Sequence, residues 1–431
     1  MKAGVAQLEI TPPPGGELSG FALRVQPATG VLDPLYVRAL HLREGAERLL
    51  WLHCDLIGLN ENTVARFRRW ARQTLGLGGP QVLLTATHTH SGPATIALRD
   101  AGAMDARYLD YLDEQLQAAA GMAMREDTAC TLVTGETECP LAIHRRGAAT
   151  AHTDPRVAVL GFQRADGTFL AVVVNHAIHP VALGHVNRMV SADLPGAAAR
   201  EIGRRLPGGP VVIMSNGACG NLNPPQINVA WEQMQEWGEQ LGGRAVAALA
   251  TATAGGDGLF VTRRVVSLPL DWLDAAGIDA YIRRILATVP DDGFGQRVRS
   301  SVHAWGEELL AALARGQAPH TREAELHVVQ LGGVVLVGIN AEIFSVFTDW
   351  LRRDTGLGKI YTVGYANGDM GYLCTREAYP EGGYEVDWAH IFYGGYRFQS
   401  GALEALAVEA GMLIRQLPGA RPPPTPARTA G

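Results

Sequence analysis

Residues 157–175 read VAVLGFQRADGTFLAVVVN. Two apolar, Val-rich runs flank Ala165-Asp166-Gly167. Branched side chains suit a pleated surface, and Asp-Gly supplies the positive φ angles that a tight turn needs. The stretch therefore predicts a β-hairpin that pairs Val157–Gln163 with Thr168–Asn175. Working outward, a second hairpin joins Glu325–Gln330 to Val334–Ile339 through Gly332-Gly333. Arg48–Leu59 (RLLWLHCDLIGL) reads as a strand, and Gln81–Thr87 (QVLLTAT) as a short buried one. Between them, Asn60 is placed to cap a helix through ENTVARFRRWARQTLG. Further helices are expected at Arg107–Met124, Pro195–Leu206, Ala230–Ala252, Ala304–Ala314, Phe344–Thr355 and Gly401–Leu417.

Hairpins mixed with strand–helix units predict an α/β fold, with mixed β-sheets covered by helices. No internal repeat and no linker is visible. Residues 255–320 mark a candidate subdomain. One catalytic domain is expected over 1–417, followed by a disordered Pro-rich tail at 418–431 (PGARPPPTPARTAG).

The bulk numbers exclude several classes. The chain has 431 residues, 47% of them hydrophobic, and a net charge of -6. That length allows a large core. The mild acidity gives no reason to expect nucleic acid or an anionic membrane as partner. The opening MKAGVAQLEITPPPGG is not a signal peptide by pattern. No run of ~18 apolar residues offers a membrane span. Cysteines stand at 54, 130, 139, 219 and 374, with no CxxC pair. This fits reduced thiols in a cytoplasm, so any metal must be held by nitrogen and oxygen. The expected partner is a small-molecule substrate, and a homo-oligomer is compatible with the sequence.

Four stretches carry candidate chemistry. In Ala86-Thr87-His88-Thr89-His90-Ser91-Gly92-Pro93 an apolar strand runs into two histidines at i, i+2. On an extended strand both rings would face one side, at the end where α/β folds place ligands. A single buried core histidine is the bland alternative. Next, the run Phe169–Asn175 leads to His176-Ala177-Ile178-His179-Pro180, and Asp193 follows as a candidate helix cap. In the third stretch Glu342 ends a very apolar run, VLVGINAE. A buried Glu is paired or metal-bound, although a helix start would also favour it. Two His and one Glu at strand ends form a zinc-ligand set with an open position. Last comes a polar, Gly- and Tyr-rich segment from Asn367 to Glu385, the kind of loop that carries function.

Taken together, these stretches resemble the neutral (non-lysosomal) ceramidase superfamily. The matches fall in the family's order: DPLYVRA at 33–39, THTHSGP at 87–93, His144-Arg145, the His179 region, Gly220-Asn221-Leu222-Asn223-Pro224, the Glu342 segment and the Tyr372/Tyr384 loop. The resemblance implies Zn2+ held by His88, His179, Glu342 and Tyr372. It further implies His90, Arg145 and Tyr384 around the substrate carbonyl. The choice of His88 over His90 as ligand comes from the resemblance alone.

Two departures matter. Where the family's motif supplies an active-site serine, this chain has Asn223, which cannot serve as nucleophile. The resemblance also covers only the catalytic domain, without the family's extra C-terminal β-sandwich or its export signal. The expectation is therefore a cytoplasmic hydrolase that cleaves an amide bond of a small soluble N-acyl compound through zinc-activated water, with His90 as proton shuttle. A zinc esterase or lactonase, and a catalytically inactive zinc-binding protein of the same fold, are the alternatives. A two-metal phosphatase would need Asp55 and Asp193 beside the histidines.

Overall fold

A computed structural model describes residues 1–147 and 151–419. Its architecture is a three-fold internal repeat of one sheet unit. Each unit has an antiparallel strand, then a hairpin, then a helix, then a last strand parallel to the hairpin's second strand. In the first unit these strands are Lys2–Glu9, Tyr36–Glu44, Glu47–Cys54 and Val82–Ala86. In the second they are Thr131–Glu138, Arg156–Gln163, Phe169–His176 and Val211–Asn216. In the third they are Leu259–Pro269, Thr321–Leu331, Val334–Ile339 and Ile360–Val363. The spatial order within each sheet is the same.

Side chains alternate faces along a strand, and here both faces are covered. One face of every sheet meets a shared central core: Leu49 and Trp51 from the first, Leu160 and Val173 from the second, Val329 and Leu336 from the third. The other faces pack on helices. Phe67, Leu112 and Leu116 cover Leu50 and Leu52. Leu194, Ile202 and Leu241 cover Val172 and Val174. Phe347, Leu351 and Leu406 cover Val335 and Val337. Each such side chain, fully withdrawn from water, contributes about 1.5–3 kcal/mol.

Both expected hairpins are present, as are the caps and periods behind most helices. Asn60 Oδ1 accepts the Thr63 amide at 2.9 Å and starts the helix Glu61–Trp70. Several bounds differ. The strand expected to reach Leu59 stops at Cys54, and the helix expected from Phe344 starts at Phe347. In the Asp-Gly turn only Gly167 adopts positive φ, at 86°. Asp193 caps nothing by side chain from the N-cap position. It is the first helical residue, and its carboxylate accepts the amides of Ala182, Leu183 and Leu194.

Residues 255–320 are no separate subdomain. Leu259–Pro269 is a full member of the third sheet, and the helices Ala275–Leu286 and Gly293–Ala314 share that sheet's outer core. The repeat itself left no trace in the sequence, because burial on both faces constrains apolar character and not residue identity. The Pro-rich tail from residue 420 onward lies outside the described residues. Among the described residues no helix is long and apolar enough to cross a membrane. All five cysteines are free and buried.

Candidate functional site

The repeat aims equivalent positions at one point. The second hairpin strands end at Cys54, His176 and Ile339, and three residues further on stand Ile57, His179 and Glu342. The last strand of the first unit ends at Ala86, two residues before His88; that of the third ends at Val363, two residues before Tyr365. The His88 and Tyr365 rings stack at 3.9 Å and 10°.

His88 and His90 are not on the strand, which ends at Ala86. His88 sits at φ 67°, so a turn brings the two rings together where strand alternation was expected. Their Nε2 atoms are 3.2 Å apart. The His179 ring lies 4.8 Å from that of His88, nearly perpendicular at 83°. Glu342 Oε2 is 3.4 Å from His88 Nε2 and 3.6 Å from His179 Nε2. Gly220 is needed behind this carboxylate, since a Cβ there would meet the Glu342 carbonyl oxygen at 2.9 Å.

Each imidazole is fixed through its other nitrogen. The Nδ1 atoms of His88, His90 and His179 face the carbonyls of Ile57 (2.6 Å), Gly20 (3.1 Å) and Cys219 (3.4 Å). A carbonyl only accepts, so each Nδ1 carries the hydrogen and each Nε2 presents a lone pair. These ligand atoms lie within 4.8 Å of one another. Bare lone pairs so placed repel unless a proton or a cation lies between them. Backbone-anchored Nδ1–H groups are also the usual support of metal-ligating histidines. Two ligands at 2.0–2.2 Å from a tetrahedral ion stand about 3.3–3.5 Å apart. The observed spacings fit a metal ion, and a Glu/His donor set without thiolate suits zinc.

The electrostatics agree for His90 and His179. Burial holds the His90 and His179 imidazoles well below their ordinary pKa, with His88 and Arg145 adding to it. Both are neutral near pH 7, the state in which an imidazole can ligate a metal or accept a proton. Burial acts on His88 in the same direction, but Glu342 and Asp369 overcome it and raise the value. Burial and the nearby Glu342 push Asp369 up to about 7.

Arg145 organises the opposite wall. Nε donates to Glu385 Oε1 at 2.7 Å, Nη1 to Asn223 Oδ1 at 3.2 Å, and Nη2 to the Tyr372 hydroxyl at 3.0 Å. Asn223 and Tyr372 are held in place by two short strand pairs, Asn223 opposite Ile143 and Tyr372 opposite Glu342. Tyr384 is 45% exposed, and its ring stands 5.7 Å from that of Tyr372.

All eight candidates, His88, His90, Arg145, His179, Asn223, Glu342, Tyr372 and Tyr384, line one cavity of about 210 Å³. Phe21, Leu23, Leu98, Ile227, Trp388 and Phe392 make its apolar wall.

Asp55 and Asp193 do not reach this cavity. Asp55 pairs with Arg38 at 2.8 Å, and Asp193 is taken up by backbone amides. Asp55 and Asp193 are therefore committed elsewhere, and the carboxylates that do lie beside His88 are Glu342 and Asp369, with ligand atoms within 4.8 Å of one another.

Several participants escaped the sequence reading. The segment expected as a polar loop, Asn367 to Glu385, contains a helical turn at Ala378–Glu381 and runs into two more at Tyr384–Trp388 and Ala389–Tyr393. They present Tyr384, Trp388, Phe392 and Tyr393 to the cavity. The four-residue spacing of 384, 388 and 392 was the available signal. The segment around Gly20 gave none. Its carbonyl holds His90, and Arg24 donates to the His90 carbonyl at 2.6 Å. A Cβ at Gly20, which has φ 100°, would meet His90 Nδ1 at 2.3 Å.

A scan against known protein families finds no match for this sequence. Comparison with solved structures does find close folds. Neutral ceramidase from Pseudomonas aeruginosa superposes with a TM-score of 0.73 at 17% identity, over 96% of this chain and 74% of that one. A structure described as ceramidase complexed with C2 gives 0.75 at 18% identity, over 100% of this chain and 78% of that one. The fold of this chain is thus neutral-ceramidase-like.

Proposed function

We propose that this chain is a zinc-dependent hydrolase that cleaves the amide bond of a small, soluble N-acyl compound. The observation that carries this reading is the convergence of the three histidine Nε2 atoms and Glu342 Oε2, at 3.2–3.6 Å between neighbours. The ceramidase-like fold supports amide hydrolysis as the reaction class.

In this reading His88, His179, Glu342 and Tyr372 hold the ion. A zinc ion bound there supplies Lewis acidity toward water and toward a carbonyl oxygen. His90, neutral and anchored by Gly20, accepts a proton from the attacking water and passes it to the leaving nitrogen. Arg145 and Tyr384 donate hydrogen bonds to the carbonyl oxygen as it gains charge. Asn223 has its Oδ1 committed to Arg145, so its Nδ2 hydrogens are free to orient a polar substrate group. The apolar wall excludes water and receives the acyl part.

Five unbridged cysteines support a reducing, cytoplasmic setting. A screen of N-acyl compounds from short to long chain, run against matched esters on zinc-loaded protein, tests the proposal. Faster turnover of the soluble amides supports it. Ester turnover alone, or no turnover, overturns it.

A further inference from the structure

The two oxygens of Glu342 are not equivalent. Oε2 faces His88 Nε2 and His179 Nε2. Oε1 accepts the Tyr393 hydroxyl at 2.6 Å, and the same hydroxyl lies 3.1 Å from Asp369 Oδ2. Asp369 is itself anchored, its Oδ1 accepting the Gly371 amide at 3.0 Å.

The Tyr393 ring is held from behind. It packs over Gly371, where a Cβ would meet ring carbons at 3.1 Å, and Gly371 has φ 89°, so no side chain is tolerated there. Tyr393 closes the helix Ala389–Tyr393, and Gly394 ends that helix in the left-handed region at φ 78°. From the other side, the Arg99 amide donates to the Phe392 carbonyl at 2.8 Å, and Trp305 Nε1 donates to the Gly395 carbonyl at 2.8 Å. The phenol is thus delivered to Glu342 by a braced element.

We propose that Tyr393 is a positioning residue that restricts Glu342 to ligation through one oxygen. Its hydroxyl occupies Oε1 at 2.6 Å, while Oε2, which takes a longer bond of 3.3 Å from the Tyr365 hydroxyl, is the oxygen turned toward the two histidines. This rests on the zinc reading above. Beside His88, His179 and Tyr372, a carboxylate bound through both oxygens would take up the fifth position that water or substrate would need. In this reading Tyr393 acts through Glu342 to keep that position open.

Tyr393→Phe is the clean variant, because it keeps the ring over Gly371 and removes only the hydroxyl. Zinc affinity is measured by competition with a chromophoric chelator. The visible spectrum of the cobalt-substituted protein reports coordination number. Melting of the metal-free variant separates positioning from folding. The expected result is a changed cobalt spectrum, shifted toward higher coordination, together with a zinc affinity altered roughly 10–100-fold. Metal-free melting stays close to that of the unmodified protein.

An unchanged spectrum and unchanged affinity in Tyr393→Phe, with normal zinc binding by the unmodified protein, overturn this inference alone. Absence of stoichiometric zinc binding by the unmodified protein overturns the metal reading and this inference with it. A variant whose metal-free form melts far lower is also counted against it, since the hydroxyl would then be a folding contact.

Discussion

Arg145 Nη1 donates to Asn223 Oδ1 at 3.2 Å, and this one bond fixes which way the Asn223 amide points. With Oδ1 turned to Arg145, the Nδ2 hydrogens are the ones the proposed site would use on substrate. Asn223→Ala should raise KM roughly 3–10-fold and lower kcat less, the loss of one hydrogen bond of about 0.5–1.5 kcal/mol. Steady-state kinetics on the best soluble amide check this. Long-chain ceramide should be a poor substrate, since Asn223 stands where the ceramidase motif has its serine and would present amide hydrogens there in place of a hydroxyl. Ceramide turnover matching the best soluble amide would contradict the assignment. So would an Asn223→Ser variant indistinguishable from the parent on every substrate.

The chain should carry about one tightly held zinc, removed by chelator together with activity. His179→Ala and Glu342→Ala should each lose both. The two residues occupy equivalent places in two sheet units, three positions beyond a strand end, so neither can substitute for the other. Elemental analysis beside turnover decides it. Full zinc and full rate in either variant remove that residue from the ligand set.

The two tyrosines should separate cleanly. Tyr372 pairs in register with Glu342, and Tyr372→Phe should weaken metal binding as well as rate. Tyr384 lies at the mouth, and Tyr384→Phe should lower the rate by roughly 10²-fold with zinc retained. Equal zinc loss in both variants would refute the division.

Glu325 predicts a pH-dependent stability. Arg68 grips it with two bonds of 2.6 and 2.8 Å, Arg263 adds one at 2.7 Å, and Asn367 another at 2.8 Å. Burial alone would raise its pKa, but the two guanidiniums hold it down to about 2 from the ordinary 4.5. The folded state therefore binds this proton less readily than the unfolded chain. Its stabilisation is complete above pH 4.5 and is lost as pH falls toward 2. Glu325→Gln takes the carboxylate from the partly buried Arg68 and the exposed Arg263 and should cost roughly 1.5–3 kcal/mol at pH 7. Urea unfolding should show the gap between parent and variant closing below pH 4.5. A gap independent of pH would mean the ion pairs contribute nothing.

By itself the sequence determined the hairpins, most helices and the residue types of the site. Those features are local. Alternation along Phe169–Asn175 and a cap at Asn60 depend on neighbours a few residues away. The eight cavity candidates came from recognisable stretches, and the structure gathers all of them into one cavity.

Tertiary structure alone decided how they meet. His88, His179, Glu342 and Tyr372 are far apart in the chain, and only the packing of three sheets on one shared core sets their distances. The same packing created the three-fold repeat, turned His88 off its strand, and bent Asp55 and Asp193 away from the centre. It also brought in Tyr393, whose neighbours in sequence gave no hint of Glu342. Periodicity fixes the face a side chain points to within its own strand or helix. Only the packing of one sheet against another fixes what that face meets.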